Sequence, residues 1–483
     1  MKRLILSLCF IILSMTSALA GEPALADPRS MTFPELRFEI PKAERIVLEC
    51  GMPVYLLRDS ELPIITMTAM VRTGSVYEPA AKSGLAGLTG VVMRSGGAGG
   101  LSPENMDDEL EFMASAVESS IGSDMGSVGL TTLTKNLERT LTVFRDVLLR
   151  PDFSEQRLEM ARKQAIEGLR RQNDDPKMIA DREVARAIYA GHPLGDIPTF
   201  ETINAISRQD LIDFHRRFYR PDNMLLAVSG DFERDALIKT LNTLFGAAPT
   251  GKPAALPEIP QPRQLFQPEV IYGKKDVNQT VIRMGHLGLT KDSPDIYAVR
   301  LLDYILGGSF TSRLTMEIRT NRGLAYNVGS HFDIGRRFAG SFIAETETKA
   351  ESTIKAIGLM KEIISGITKE PVSEQELNAA RDYMINSFMF GFTSPASIVS
   401  QRARLEFYGY PDNYLENYRS AIARVTREDV LKAAQKYLKP GAFKLVVVGD
   451  AGKFDAPLSS LGSVRELDLK LNIPNEVNRN GKI

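Results

Sequence analysis

The sequence predicts two homologous domains that each combine helices and strands, and three observations support this prediction. The chain has 483 residues, which is enough for two domains of ordinary size with separate cores. A pattern that begins at residue 207 recurs at residue 426, a shift of 219. A stretch rich in proline lies between the two copies.

The repeat consists of a helix, a proline and a strand in the same order. Each copy begins with a hydroxyl N-cap and an acid three residues later, a pattern that starts helices. A proline ends each predicted helix, and a β-rich run then ends at a Gly-Asp pair. In order, these markers are Ser207, Asp210, Pro221, Gly230 and Asp231 in the first copy, and Thr426, Asp429, Pro440, Gly449 and Asp450 in the second.

Composition sets the domain boundaries. We expect the first domain over residues 37–248, a Pro-rich linker over 249–265 and the second domain over 266–452. Prolines at this density predict an extended, semi-rigid linker rather than a packed element. Residues 453–483 lose periodicity, which predicts a polar tail.

The N-terminus has the features of a secretory signal peptide over residues 1–20. Two basic residues precede an apolar stretch over 4–15, and small residues lead to a cleavage site between Ala20 and Gly21. We therefore expect an exported, periplasmic protein of bacterial type. No later segment reaches about 18 uncharged apolar residues, so we expect no transmembrane segment in the mature chain.

Cysteine content excludes an internal disulfide in the mature chain, and charge and composition argue against nucleic-acid binding. Cleavage of the signal peptide removes Cys9 and leaves Cys50 alone, so no internal disulfide can form. We expect Cys50 to be a small apolar residue in a strand over residues 45–57. The net charge is −1 and the chain has no tryptophan, so we expect no nucleic-acid partner.

Residues 74–91 resemble a metal-binding motif that has lost its ligands. They read GSVYEP and, after a gap, SGLAGLTGV, and resemble the zinc-site segment of the pitrilysin/insulinase-type metallopeptidases. In that family a Gly-Ser-x-x-Glu turn leads into a helix that carries His-x-x-Glu-His. The two histidines, one helical turn apart, bind zinc, and the Glu acts as general base on the bound water.

The residues at the family's functional positions cannot perform this chemistry. Gly87 and Val91 occupy the two His positions, and Gly90 occupies the Glu position. Gly168 occupies the position of the fourth family residue, a Glu on a later helix. None of the four side chains can bind a metal or accept a proton. We therefore expect no catalytic residue and no zinc in this chain, which is identified as a non-catalytic member of the family.

Further motifs extend the resemblance over nearly the whole mature chain. They are Phe218–Asn223 with Gly230–Asp231, Leu306–Gly308, Ser312–Leu314, Glu317–Arg319 and Arg322–Tyr326. In that family each domain pairs an antiparallel sheet with a layer of helices. The resemblance therefore implies an α+β protein whose two domains each contain an antiparallel-rich sheet packed with helices, joined by the Pro-rich linker.

The segment RGLAY over residues 322–326 retains a substrate-binding pair of the family. The pattern predicts a helix over 312–321, a left-handed cap at Gly323 and a strand from Ala325. The resemblance implies that Arg322 and Tyr326 bind the substrate, and both side chains can donate to a developing oxyanion. The structural alternative is an Arg322–Glu317 ion pair beside a half-buried Tyr326.

Two glycines inside one helix also need an explanation, because each costs about 1 kcal/mol relative to alanine. Gly87 and Gly90 either let a peptide or a partner approach closely, or they let the helix pack closely on its own sheet. We favour the packing interpretation.

The histidines show no metal-ligand spacing. They are His192, His215, His286 and His331. We expect His215 to face outwards from a charged helix, beside two arginines.

The leading hypothesis is a periplasmic pseudo-peptidase subunit of a heteromeric zinc peptidase. A homologous partner would carry the zinc, and this chain would bind and position a peptide or unfolded protein substrate. One alternative is a binding or assembly subunit without any proteolysis. The other is an active metallopeptidase that uses Glu78, Glu159 or Glu167 with scattered histidines.

Overall fold

The computed structural model describes residues 39–246 and 255–470. The predicted signal peptide, residues 249–254 of the predicted linker and residues 471–483 of the predicted tail lie outside the described residues. The described residues from Ile40 onwards belong to one compact unit. In this part of the chain, no helix has the length and apolar character needed to cross a membrane.

The strands and helices follow one another in two similar series. The strands are β1 Glu44–Val47, β2 Pro53–Arg58, β3 Ile64–Val71, β4 Ala116–Ile121, β5 Gly126–Leu133, β6 Met224–Gly230, β7 Glu269–Lys274, β8 Gln279–Leu287, β9 Ala325–Phe332, β10 Ser341–Lys349, β11 Lys444–Gly449 and β12 Val464–Glu466. The helices of the first series are α1 Leu85–Ser95, α2 Pro103–Phe112, α3 Leu137–Leu149, α4 Glu155–Arg171, α5 Pro176–Ile188, α6 Phe200–Asn204, α7 Arg208–Phe218 and α8 Arg234–Phe245. Those of the second are α9 Ile296–Leu306, α10 Thr353–Gly366, α11 Glu374–Ser387, α12 Pro395–Phe407, α13 Tyr414–Arg424 and α14 Arg427–Tyr437, together with a π-helix over Thr315–Asn321.

The strands of the described chain form two six-stranded sheets of the same topology. Their orders are β1-β2-β6-β3-β5-β4 and β12-β7-β11-β8-β10-β9. Most neighbours are antiparallel, whereas β6 runs parallel to β2, and both β11 and β12 run parallel to β7. Helices pack on both sheets, so the predicted α+β class with antiparallel-rich sheets is confirmed. Five strands correspond one to one, and only the outer strands β1 and β12 come from different places in the series.

The predicted helix starts of the repeat are formed in the structure. The hydroxyl of Ser207 accepts from the amide of Asp210, whose carboxylate accepts from the Ser207 amide in return. Thr426 and Asp429 form the same reciprocal pair at the start of α14. These two capping boxes satisfy amides that the helices cannot pair themselves.

Each half of the chain covers the second face of the other half's sheet with one helix. Helix α5 packs on β8 and β11, where Ile179, Val184 and Ile188 join a buried cluster with Val446 and Val448. Helix α12 packs on β2 and β6 in the same way. Its buried residues Val399, Ala403 and Phe407 join Met70, Leu225 and Ala227 of the first sheet. Helices α5 and α12 are therefore exchanged between the halves.

The predicted polar tail from residue 453 is wrong for its first part. Strand β12, Val464–Glu466, pairs in parallel with β7 and forms the edge of the second sheet. The amide of Leu467 then donates to the carbonyl of Tyr272 at 2.8 Å. A strand of three residues is too short to show an alternating pattern in the sequence.

Two smaller predictions also need correction. The expected strand over residues 45–57 is a hairpin of β1 and β2, and Cys50 lies in its turn, where Gly51 has a φ of 86°. The described part of the linker, residues 255–265, has no helix or strand, as expected. It nevertheless packs against both halves. The carbonyl of Pro260 lies 3.0 Å from Nε2 of His192, and Gln261 donates to the carbonyl of Arg337.

Candidate functional site

Helix α1, which carries three of the positions that have lost their ligands, begins beside a partly buried carboxylate. Glu78 accepts hydrogen bonds from the amides of Gly84, at 2.9 Å, and Ala86. Burial raises the pKa of Glu78, and the two backbone hydrogen bonds oppose that rise. A carboxylate at this end of a helix is also favoured by the helix dipole. Glu78 is therefore engaged in holding the start of α1.

The vacated positions differ in their surroundings. A Cβ atom added at Gly87 or Gly168 would meet no atom within 4 Å, and the Val91 side chain is 49% exposed. A Cβ atom added at Gly90 would lie 2.7 Å from the backbone nitrogen of Ile121 in β4. The packing interpretation is therefore correct for Gly90 and wrong for Gly87, which faces open space.

A small cavity lies beside Gly87. Its volume is about 200 Å³, and its lining includes Ser75, Glu78, Ile121 and Pro193. Helix α1 also contacts α4, which carries Gly168. The structure thus brings together helices α1 and α4, which carry the four positions of the lost zinc site, although none of these positions offers a metal ligand.

The remaining acidic candidates do not replace the lost ligands. Glu159 pairs with Arg162, and Glu167 pairs with Arg170 at 3.1 Å. In the described ranges, no group of three His, Cys, Asp or Glu side chains is placed to hold a metal ion. The residues present therefore do not fit the zinc site that the resemblance implies for active relatives.

The prediction for His215 is wrong, because this side chain is buried. Its Nε2 lies 2.9 Å from the carbonyl oxygen of Leu148, and its ring stacks on Tyr219 at 4.8 Å. Burial lowers the pKa of His215 to about 4. The two arginines that follow it are exposed, because adjacent helix positions are about 100° apart. Charged neighbours in sequence thus gave a false indication of the direction of His215.

Arg322 and Tyr326 lie where the π-helix meets strand β9. Gly323, between them, has a φ of 58°, as predicted for a left-handed cap. Nε of Arg322 donates to Glu317 at 2.6 Å, and Arg322 is 48% exposed. Tyr326 is 81% exposed. The structural alternative is therefore correct for the Arg322–Glu317 ion pair and wrong for Tyr326, which is exposed rather than half-buried.

An irregularity in the sheet directs Tyr326 outwards. Strand β10 pairs Thr348 with Ala325 and Glu347 with Asn327, so Tyr326 is an extra residue that β10 does not match. A bulge of this kind bends the strand and changes the direction of a side chain, and such bulges are common beside functional sites. The sequence pattern predicted the strand and missed the bulge.

In the part of the chain that the structure describes, β4 and β9 are the outer strands at one end of each sheet. Among the described strands, β4 pairs with β5 alone and β9 with β10 alone. Strand β4 packs beside α1, and β9 carries Tyr326. An unpaired strand offers backbone donors and acceptors to an added strand.

Comparison with known proteins gives the family. The model of the insulinase family, peptidase family M16, matches residues 54–199, and that of the peptidase M16 inactive domain matches residues 205–384. Together they match more than half of the chain. The chain belongs to the peptidase M16 family. The resemblance inferred from the vacated motif is therefore confirmed.

Relatives of this M16 chain include proteins described as peptidases and one described as a non-peptidase. An "uncharacterized zinc protease" of Mycobacterium leprae is 27% identical over 63% of this chain and 69% of its own. The "non-peptidase homolog YmxG" of Helicobacter pylori is 24% identical over 79% of this chain and 88% of its own.

Solved structures support the same M16 fold. A crystal structure of a peptidase M16 inactive domain from Pseudomonas fluorescens has a TM-score of 0.77 and 26% identity, covering 85% of this chain and 98% of that one. The periplasmic protease PqqL of Escherichia coli has a TM-score of 0.72 and covers 91% of this chain and 50% of its own. Its identity of 16% supports the fold alone.

Arg319 and Phe310, which lie close to the proposed substrate-binding residue Tyr326, were not identified from the sequence. The guanidinium carbon of Arg319 lies 5.1 Å from the centre of the Tyr326 ring and 5.5 Å from that of Phe310. In the sequence Arg319 stands out only as part of a family motif. Spacing alone could not find the contact, because the π-helix changes which residues share a face.

Proposed function

We propose that this chain is a periplasmic, non-catalytic subunit of a heteromeric M16 zinc peptidase. It binds an extended peptide and positions it for a homologous partner chain that holds the zinc. The observation that carries the proposal is the contrast between two sites in one M16 fold. The positions for zinc chemistry are Gly or Val, whereas Arg322 and Tyr326 are retained and accessible.

The start of β9, at Tyr326, supports binding of an extended peptide, whereas further along the strand the Phe332 amide already donates to Asp303 and the Val328 carbonyl accepts from Thr315. A peptide added to this edge would gain backbone hydrogen bonds irrespective of its sequence. Tyr326 lies at the start of the edge, and its phenol can donate to a peptide carbonyl. Arg322 keeps further N–H donors besides the one used by Glu317, since a guanidinium has five.

Export is supported by the N-terminal pattern of residues 1–20. The mature chain then begins near Gly21. In the periplasm a peptide-binding subunit would meet unfolded or fragmented exported proteins.

The test reconstitutes the mature chain with the M16 chain that co-purifies with it from the periplasm and contains zinc. Cleavage of a quenched fluorescent peptide is measured for the wild type and for Arg322→Ala and Tyr326→Phe. We expect turnover to fall about 10²–10³-fold for each variant, the typical cost of one lost oxyanion donor. Association and melting temperature should not change. Arg322→Lys should restore little, because lysine lacks the planar fork.

Two substitutions serve as matched controls. Arg58 is an exposed arginine paired with Glu233, as Arg322 is with Glu317, and Arg58→Ala should leave turnover unchanged. Tyr383 is an exposed tyrosine outside the site, and Tyr383→Phe should do the same. The proposal is wrong if Arg322→Ala and Tyr326→Phe support full turnover. It is also wrong if no zinc-containing M16 chain associates with this one, an outcome that favours the assembly role.

A further inference from the structure

An exposed group of two aromatic rings and one arginine lies beside the proposed peptide edge. Phe310 and Tyr326 are 80% and 81% exposed, and they are two of the three most exposed large hydrophobic side chains in the described ranges. Both rings contact the guanidinium of Arg319, at 5.5 and 5.1 Å. Exposed apolar side chains that cluster, rather than scatter singly, are typical of binding surfaces.

Arg319 differs from the two arginines near it in sequence. Arg313 pairs with Glu376 at 2.7 Å, and Arg322 pairs with Glu317 at 2.6 Å. Among the residues that the structure describes, Arg319 has no carboxylate partner within 4 Å. In the described residues its guanidinium contacts two ring faces and forms no ion pair.

A guanidinium that stacks on rings can still bind an anion. Stacking uses the flat faces of the group, whereas the N–H donors lie in its plane. These donors match the two oxygens of a carboxylate, which is why arginine binds carboxylates in a bidentate manner. The nearby carboxylate of Glu317 does not compete, because Asn321 and Arg322 both bind it.

We propose that Phe310, Arg319 and Tyr326 form a recognition site for a carboxylate of the bound peptide. The guanidinium binds the carboxylate, and the two rings pack against the aliphatic part of the same or a neighbouring side chain. The inference rests on the proposed function, since Tyr326 belongs to both sites. It adds a substrate class: extended peptides with an acidic group close to the segment paired with β9.

The test measures binding of short fluorescent peptides to the mature chain by anisotropy. The four peptides share a sequence of alternating Ser and Val and differ at the central residue and the C-terminus. Three are amidated and carry a central Glu, Gln or Lys. The fourth carries a central Gln and a free C-terminal carboxylate. We expect the Glu peptide to bind about tenfold more tightly than the Gln peptide, as for one charge-assisted hydrogen bond. Tight binding of the fourth peptide instead would identify a terminal carboxylate as the ligand.

Charge reversal separates recognition from a general effect of charge. Arg319→Gln should abolish the preference and leave binding of the Gln peptide unchanged, and Arg319→Glu should make the Lys peptide the tightest. Phe310→Ser should weaken all four peptides. Arg217 also stacks on a ring, that of Phe218, so Arg217→Glu makes the same change of charge elsewhere and should leave the preference intact.

The outcomes distinguish this inference from the proposed function. If all four peptides bind wild type with equal affinity, or if the preference survives Arg319→Glu, the carboxylate site is wrong and peptide binding stands. If Arg217→Glu removes the preference as well, it reflects overall charge and the inference is again wrong. If no peptide binds the wild-type chain, both the inference and the proposed function are wrong.

Discussion

The two glycines of α1 allow a stability prediction with an internal control. Gly87→Ala and Gly90→Ala make the same change in the same helix, so their gain in helix propensity, about 1 kcal/mol, is the same. At Gly87 the new methyl group meets nothing within 4 Å, so we expect the free energy of unfolding to rise by about that amount. At Gly90 it would lie 2.7 Å from the Ile121 nitrogen and 3.1 Å from the Ser120 carbonyl carbon. Both atoms are backbone and cannot rotate away.

Overpacking of this kind costs about 1–3 kcal/mol. We therefore expect Gly90→Ala to lower the free energy of unfolding by up to about 2 kcal/mol after the helix gain. Urea titrations followed by circular dichroism measure both midpoints, and equal slopes show that the unfolded states are comparable. A Gly90→Ala variant as stable as Gly87→Ala would refute the packing of α1 on β4. The same contact implies that a glutamate at position 90 requires α1 or β4 to move.

Three further predictions concern ionisation, metal and export. Burial raises the pKa of Asp303 to about 7, although the Phe332 amide and Arg300 oppose the rise. The folded state therefore favours the protonated acid. The free energy of unfolding should consequently fall as pH rises from about 4 to above 7. Asp303→Asn should remove this fall and stabilise the protein at pH 8 by up to about 4 kcal/mol; equal melting curves for variant and wild type at pH 8 would contradict it. The purified chain should contain no stoichiometric zinc by elemental analysis, and one ion per chain whose removal abolishes peptide cleavage would contradict this. The chain isolated by osmotic shock should begin near Gly21 by mass spectrometry, whereas a membrane-bound chain that keeps residues 1–20 would not fit.

Much of the fold could be predicted because the elements of the repeat are determined by residues that are close together in the sequence. The capping boxes at Ser207 and Thr426 and the strands that follow depend on neighbouring residues, so the sequence shows them directly. The exchange of α5 and α12 was missed, although these helices also start 219 residues apart, at Pro176 and Pro395. An apolar stripe shows that a helix face is buried and does not show which sheet buries it.

The site was predicted where the chemistry of single residues decides it. The loss of ligands at Gly87 and Val91 is visible from residue identity alone. The direction of a side chain depends on packing, and the sequence therefore misjudged His215 and missed the outward turn of Tyr326. The contact of Arg319 with Phe310 depends on a π-helix, which no simple period in the sequence reveals.

The exchange of α5 and α12 means that the linker is not the chief connection between the halves. Cutting the chain between residues 246 and 255 would leave two fragments, each of which contributes one helix that packs on the sheet of the other fragment. Pulling them apart would bare the apolar face of both sheets at once, including Val446 on one side and Leu225 on the other. The halves should consequently stay associated after proteolysis, and neither should be soluble when produced alone. An opening that displaced α5 or α12 would expose part of these apolar faces to water.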